Sequence, residues 1–211
     1  MDRDTVWQAV ETARLAAADL LADLSPREWE HRSLCPAWRV RDVAAHLTLA
    51  PQVSMRDSVV AVVRARGNFN RMIRDTAVRK AAVPPGQLVD EVRSIASSHR
   101  LAPMTTHLDP LMDTLVHTQD IAVPLGRRVP MPVEAARAST EHVWSRGFPF
   151  HAQRKLRGFR LEATDTEWSG GAGRTLRGPI EALLLLVTGR PAALEKLDGE
   201  GKAELKERLS P

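Results

Sequence analysis

Apolar side chains recur at intervals of three and four over residues 4–24, where Val6, Val10, Ala13, Ala17, Leu20, Leu21 and Leu24 form one stripe. That is the period of an α-helix with one buried face. The Ser25-Pro26 step ends it, because proline cannot continue the ladder and biases the preceding residue away from helix. A second helix is predicted to open at Pro36-Ala37-Trp38, with proline in its first turn, and to run through Val40, Val43, Ala44 and Leu47 toward a kink or end at Pro51. Over residues 54–82 the positions of Val59, Val62, Val63, Phe69, Met72 and Ile73 predict more helix, with Gly67-Asn68 as a break. Pro84-Pro85-Gly86 reads as a linker into a helix over residues 87–101, built on Leu88, Val89, Val92 and Ile95. Residues 110–123 predict another, with Asp109 as N-cap, Pro110 in the first turn and Pro124 near the exit. Residues 132–144 repeat that pattern.

After Gly147 the character changes. Phe159-Arg160-Leu161-Glu162-Ala163 alternates like a strand, residues 165–173 read as turns with a short strand to follow, and Gly178-Pro179 opens a strongly apolar helix over 180–188. The pattern predicts a mainly α chain, with a helical bundle over residues 1–147, a small α+β domain over 158–200, and a boundary between 147 and 157.

Composition narrows the picture. Of 211 residues, 43% are hydrophobic and 27% charged, which suits a chain that folds around a core. The apolar run from Ala182 to Val187 falls far short of the roughly 20 residues of a spanning helix. The N-terminal stretch is interrupted by Glu11, Arg14 and Asp19, unlike a signal peptide, and Cys35 is the single cysteine, so no internal disulfide is possible. A cytoplasmic protein with no membrane partner is expected. Basic residues cluster at Arg64, Arg66, Arg71, Arg74, Arg79 and Lys80 and again at Arg154, Lys155, Arg157 and Arg160, but aromatics make up only 4% of the chain. Neither cluster is interleaved with stacking side chains, so they read as solvated faces and no nucleic-acid partner is expected.

The candidate chemistry lies in histidines and carboxylates. Asp113 and His117 are four residues apart on a predicted helix, so both can point at one atom. His46, on another predicted helix, can supply a third ligand, as facing helices of bundles commonly do. Two imidazoles and one carboxylate leave a coordination position open, the arrangement of a catalytic rather than a structural site. Zinc suits such a set, while nickel, iron(II) and manganese are not excluded by ligand type. Asp42 and His46 have the same spacing, so spacing leaves open which aspartate is the ligand; Asp42 can instead serve its helix N-terminus.

Two segments carry a resemblance. Cys35-Pro36-Ala37-Trp38-Arg39-Val40-Arg41-Asp42-Val43-Ala44-Ala45-His46-Leu47 and Asp113-Thr114-Leu115-Val116-His117-Thr118-Gln119-Asp120 resemble the motifs of the mycothiol-dependent maleylpyruvate isomerase family. Within residues 161–190, Ala163-Thr164-Asp165, Trp168, Gly178-Pro179 and Thr188-Gly189-Arg190 resemble the family's small carboxy-terminal domain. The resemblance implies a DinB-like four-helix bundle holding a divalent metal, zinc being expected, on His46, Asp113 and His117. It also implies mycothiol, the low-molecular-weight thiol of actinobacteria, as co-substrate, with an electrophilic small molecule isomerised or receiving the thiol. Aspartate stands at 113 where the isomerase proper typically has glutamate; one methylene shorter, it is expected to draw the metal closer, bind through water, or bind weakly. Asp120, two turns beyond Asp113, is expected to orient His117 or a bound water. Trp38 reads as a packing anchor, Cys35 as a small buried hydrophobe, and Arg154, Arg157 and Arg190 as surface cations that could pair with substrate carboxylates. The alternative is a non-catalytic metal-binding or regulatory bundle, and a monomer or homodimer fits either reading.

Overall fold

The computed structural model describes residues 1–49, 69–102 and 104–209. Its elements are α1 (Arg3–Ala22), α2 (Pro26–Trp29), α3 (Val40–Leu49), α4 (Phe69–Lys80), α5 (Pro85–Ser94), α6 (Leu108–Ala122), α7 (Val133–Ser145), α8 (Ala152–Lys155), β1 (Gly158–Ala163), β2 (Ser169–Gly171), β3 (Gly173–Gly178), α9 (Ile180–Val187) and α10 (Lys202–Leu209). Short 3-10 turns cover Val123–Leu125 and Pro191–Lys196. Pro51 and most of the helix expected over 54–82 lie outside the described residues; α4 is the described part.

Packing divides the chain into two compact units, residues 2–129 and residues 130–211 together with Met1. The division falls earlier than the expected 147–157, because α7 packs against α9 and so belongs with the C-terminal unit. In the first unit α1 and α3 each pack against both α5 and α6, which closes a four-helix bundle, and α4 packs along α3. Its interior is filled by side chains such as Val10 and Leu21 of α1, Val43 of α3, Leu88 of α5 and Leu111 of α6, all essentially inaccessible.

Helix boundaries follow local chemistry that the apolar stripe does not reveal. Asp2 caps α1 through Thr5 N at 2.9 Å. Helix α2 had no place in the stripe reading, although Ser25-Pro26-Arg27-Glu28 is a capping box: the Glu28 carboxylate accepts from Ser25 N at 2.8 Å, and Ser25 Oγ accepts from Glu28 N. Helix α3 starts at Val40 rather than Pro36, because Ala37 has φ 65°, a left-handed conformation that no helix tolerates. Helix α5 stops at Ser94, seven residues short of the expected end, and the carbonyls beyond it turn to a side chain of α1. Helix α6 begins at Leu108, so Asp109 lies inside its first turn and accepts from Thr106 N at 2.6 Å instead of acting as N-cap.

In the C-terminal unit the strands run in the order β2-β1-β3. β1 pairs antiparallel with β2 (Arg160 opposite Gly171) and parallel with β3 (Leu161 opposite Leu176). The alternation of β1 is real: Phe159 and Leu161 are buried while Gly158 and Arg160 are exposed. Residues 165–173 supply a second strand as well as a turn, and Gly170 there is required because a Cβ would meet Trp144 Cε2 at 2.8 Å. Helix α9, buried from Ala182 through Val187, packs against α7, β1 and the Pro191–Lys196 turn, which accounts for a helix apolar on every side. Among the described residues no helix is long and apolar enough to cross a membrane.

Leu88 has no accessible surface and sits inside the bundle. Leu88→Ala is expected to destabilise the chain by about 2–5 kcal/mol in denaturant titration, through lost burial and the cavity left behind. A loss below about 1 kcal/mol would contradict the packing described.

Candidate metal centre

Asp42 is committed to its own helix start. Its Oδ2 accepts from Arg39 N at 2.8 Å and its two oxygens take Arg39 Nε and Nη2, each at 3.1 Å. Arg39 and Arg41 both pair with Glu30, and Arg41 Nε also donates to Ala81 O at 3.0 Å. Of the two equally spaced aspartates, Asp42, 2% exposed, closes the first turn of α3, and Asp113 is the one beside the histidines.

His46 comes from α3, one turn beyond Val43 on the border of the core face. Asp113 and His117 come from α6, on the side that packs against α1 and α3. His46 Nε2 and His117 Nε2 each lie 3.4 Å from Asp113 Oδ1, and the three atoms all fall within 4.8 Å of one another. The imidazoles meet edge to face with centroids 4.7 Å apart. All three side chains are partly buried, with Asp113 the most open at 26%.

The far side of His117 is fixed. Its Nδ1 donates to Asp120 Oδ2 at 2.8 Å, and Asp120 has no accessible surface. A carboxylate only accepts, so Nδ1 carries a proton, and Nε2 is the ring nitrogen that faces Asp113 and His46. The same Oδ2 accepts the Cys35 thiol at 3.0 Å. The loop holding Cys35 is tied down through its backbone: Leu34 N donates to Asp120 O at 3.0 Å, Trp38 N to Cys35 O at 3.1 Å, and Val40 N to His31 O at 2.9 Å. This places Trp38, 8% exposed, with its ring centroid 5.3 Å from that of His46 and 5.9 Å from that of His117. Trp38 is thus a packing anchor and at the same time a wall of the site.

Burial opposes the charge on Asp113, but the positive fields and hydrogen bonds of His46 and His117 overcome it and hold the carboxyl far below the usual range. Burial likewise opposes protonation of His117, yet the Asp113 charge first, then hydrogen bonds to Asp113, Asp120 and Cys35, raise it well above 6.5.

The donor set fits a divalent cation. Ligand atoms of a four-coordinate zinc at about 2.0–2.1 Å stand about 3.3 Å apart. Both nitrogen–oxygen separations here are 3.4 Å, so the shorter aspartate side chain brings its oxygen to both imidazoles. Cys35, His117 and Asp120 also gather ligand-type atoms. Their separations of 2.8 and 3.0 Å about Asp120 Oδ2 are hydrogen-bond lengths, shorter than the edges of a coordination sphere.

Reading the sequence as stripes missed the role of Cys35, which is half-buried and bonded to Asp120 rather than a mere hydrophobe. It also missed Arg14, buried at 4% exposure. For Cys35 a signal existed in its place three residues before Trp38, on the loop that enters the histidine helix. Arg154 and Arg157 are exposed in the C-terminal unit, and Arg190 Nη1 donates to Thr188 O at 2.6 Å. In the basic cluster of α4, Arg71 and Arg74 pair with Asp75, and Lys80 with Glu91; Arg64 and Arg66 lie outside the described residues.

Residues 10–67, which include the Trp38 motif and His46 but not Asp113 or His117, match the family profile described as the mycothiol maleylpyruvate isomerase N-terminal domain. No curated protein matches the chain significantly. Among solved structures, the crystal structure of the mycothiol-dependent maleylpyruvate isomerase superposes with a TM-score of 0.66 at 11% identity, covering 96% of this chain and 94% of that one. A histidine-to-alanine mutant of the isomerase superposes with a TM-score of 0.65 at the same identity and coverage. The chain is thus similar to the mycothiol maleylpyruvate isomerase N-terminal domain over residues 10–67 and shares the isomerase fold over nearly its whole length.

Proposed function

We propose that the chain is a divalent-metal enzyme that binds its cation, zinc by preference, through His46, Asp113 and His117 and uses mycothiol to isomerise an electrophilic small molecule or to transfer the thiol to it. The observation that carries this reading is the meeting of two imidazole nitrogens and one carboxylate oxygen from two helices at separations suited to one cation. A cation held there supplies a Lewis acid that favours the thiolate form of an incoming thiol.

The chain's own residues perform the remaining tasks. Asp120 keeps the proton on Nδ1 of His117, so Nε2 is available as a ligand without rearrangement. Trp38 excludes water from one side of both imidazoles. Cys35 donates its S–H to Asp120 Oδ2 at 3.0 Å, which ties its loop to α6. Three protein ligands leave a coordination position for the thiol, and no protein nucleophile is needed.

Protein purified without chelator is expected to carry close to one equivalent of divalent metal by elemental analysis. His46→Ala and His117→Ala should lose it; unchanged metal in either would sink the ligand assignment. Asp120→Asn should keep the fold and weaken metal binding by roughly 10–100-fold, the usual cost of losing a partner that orients a ligating histidine. For activity, metal-loaded protein should consume mycothiol with, or isomerise, an activated unsaturated carboxylic acid, and protein that neither binds nor turns over mycothiol contradicts the reading.

The metal-free cluster has its own pH signature. His117 is raised above its ordinary 6.5, so its stabilisation is complete below that value and is lost as pH rises through the folded-state value. Asp113 is lowered below its ordinary 3.8, so its stabilisation is present above 3.8 and is lost as pH falls through the folded-state value. In chelator, the difference in Tm between wild type and His117→Gln should therefore be largest between 3.8 and 6.5 and shrink at higher pH. A difference that grows above neutrality would contradict this.

A further inference from the structure

From His142 to Leu161 the chain carries no aspartate or glutamate, while Arg146, Arg154, Lys155, Arg157 and Arg160 all fall within those residues. The fold gathers three of these cations about one turn of helix. Ala152 and Leu156, four residues apart, are 1% and 4% exposed and anchor α8 inward, which leaves Arg154, Lys155 and Arg157 exposed. The backbone beneath them is fixed: His151 O accepts from Arg154 N at 3.1 Å and from Lys155 N at 3.0 Å, and Arg208 Nη1 donates to Arg157 O at 2.9 Å. Elsewhere in the C-terminal unit Arg137, Arg160, Arg174, Arg177, Lys196 and Arg208 each face a carboxylate. Among the described residues Arg154, Lys155 and Arg157 face none.

A cationic turn alone is an ordinary solvated face, but this one is bordered by apolar groups. Before α8, Phe148 is 62% exposed, with its ring centroid 6.4 Å from that of His151, the residue that opens the helix. Beside α8, Lys155 borders a cleft lined by Leu156, Leu186, Val187, Pro191 and Leu209, and Leu209 is itself 37% exposed. Cations next to exposed apolar side chains suit an anionic bilayer, whose headgroups take the charge and whose acyl boundary takes the apolar groups. A nucleic-acid backbone or an acidic peptide would meet the cations but offer Phe148 and Leu209 no comparable apolar environment.

We propose that α8 and the residues beside it form a surface that docks the chain, without crossing, on a membrane rich in anionic phospholipid. Arg154, Lys155 and Arg157 meet the headgroup phosphates, and Phe148 and Leu209 enter the boundary between headgroups and acyl chains. The attraction reaches only about one Debye length, roughly 8 Å at physiological salt, so cations held on the surface are the ones that count. Three cations and two apolar side chains give a reversible attachment rather than an anchor. Every residue involved lies in the C-terminal unit, so the surface is independent of the His46, Asp113 and His117 centre.

The test is flotation of the full chain with vesicles of phosphatidylcholine alone and of phosphatidylcholine with an equal share of phosphatidylglycerol. At low salt, wild type is expected to bind the acidic vesicles roughly a hundredfold more tightly than the neutral ones, and to lose most of that preference as salt is raised. Arg154→Gln, Lys155→Gln and Arg157→Gln should each weaken binding to acidic vesicles about fivefold, and together should remove the preference. Phe148→Ser should weaken it roughly tenfold while leaving the salt dependence in place. All four side chains are exposed, so Tm should be the same in every variant, which separates lost docking from lost folding. Equal binding of wild type to both vesicles, or a preference retained by the triple variant, overturns the proposal. So does Phe148→Ser that binds acidic vesicles as tightly as wild type. Wild type that ignores the vesicles but binds a DNA duplex or polyglutamate also overturns it, and assigns the surface to a nucleic-acid or acidic protein partner instead.

Discussion

A carboxylate with no access to water is costly unless it is hydrogen-bonded, and the bonds that Asp120 makes organise its surroundings. Its Oδ2 takes the Nδ1 proton of His117 from the same helix and the thiol proton of Cys35 from the loop before α3, while its backbone oxygen takes Leu34 N from that loop. One residue thereby sets the tautomer of a ligand-type histidine and pins the loop that presents Trp38 to both imidazoles. Without that bond, His117 could rotate or change tautomer, and the meeting of Nε2 with Asp113 and His46 would not be fixed.

The bundle is what makes so polar a cluster tolerable. Helices α3 and α6 are packed against common neighbours, so the backbones carrying His46, Asp113 and His117 are held by apolar contacts that do not depend on the site. Against this rigid frame the charges balance one another: the histidines hold Asp113 ionised, and Asp113 and Asp120 hold the proton on His117. A cation would displace that proton and take up the same negative charge. Under the proposed function, that exchange replaces one positive charge with a larger one.

Much of this is legible in the sequence and some is not, for identifiable reasons. The stripes of α1, α3, α5 and α6 are strong because each helix has one core face, and the four-residue spacing of Asp113 and His117 survives folding unchanged. The choice between Asp42 and Asp113 could not be made from spacing, because it depends on Arg39 returning to cap its own helix. Helix α5 ends before the apolar stripe does, and the carbonyls beyond it accept from Arg14, eighty-one residues or more away in sequence, which no local pattern reports. Arg14 itself reads as a break in an amphipathic face, since a buried cation has the same sequence signature as an exposed one. The domain boundary was drawn at a change in composition, whereas α7 takes its partner, α9, from beyond that change.

The account turns on which atoms hold the cation, and X-ray absorption at the metal edge of zinc-loaded, thiol-free protein measures that directly. The structure predicts a first shell of nitrogen and oxygen only, at about 2.0–2.2 Å, with imidazole scattering from two histidines. A sulfur scatterer at about 2.3 Å, abolished by Cys35→Ser, would place the cation on Cys35, His117 and Asp120 and contradict the assignment of His46 and Asp113.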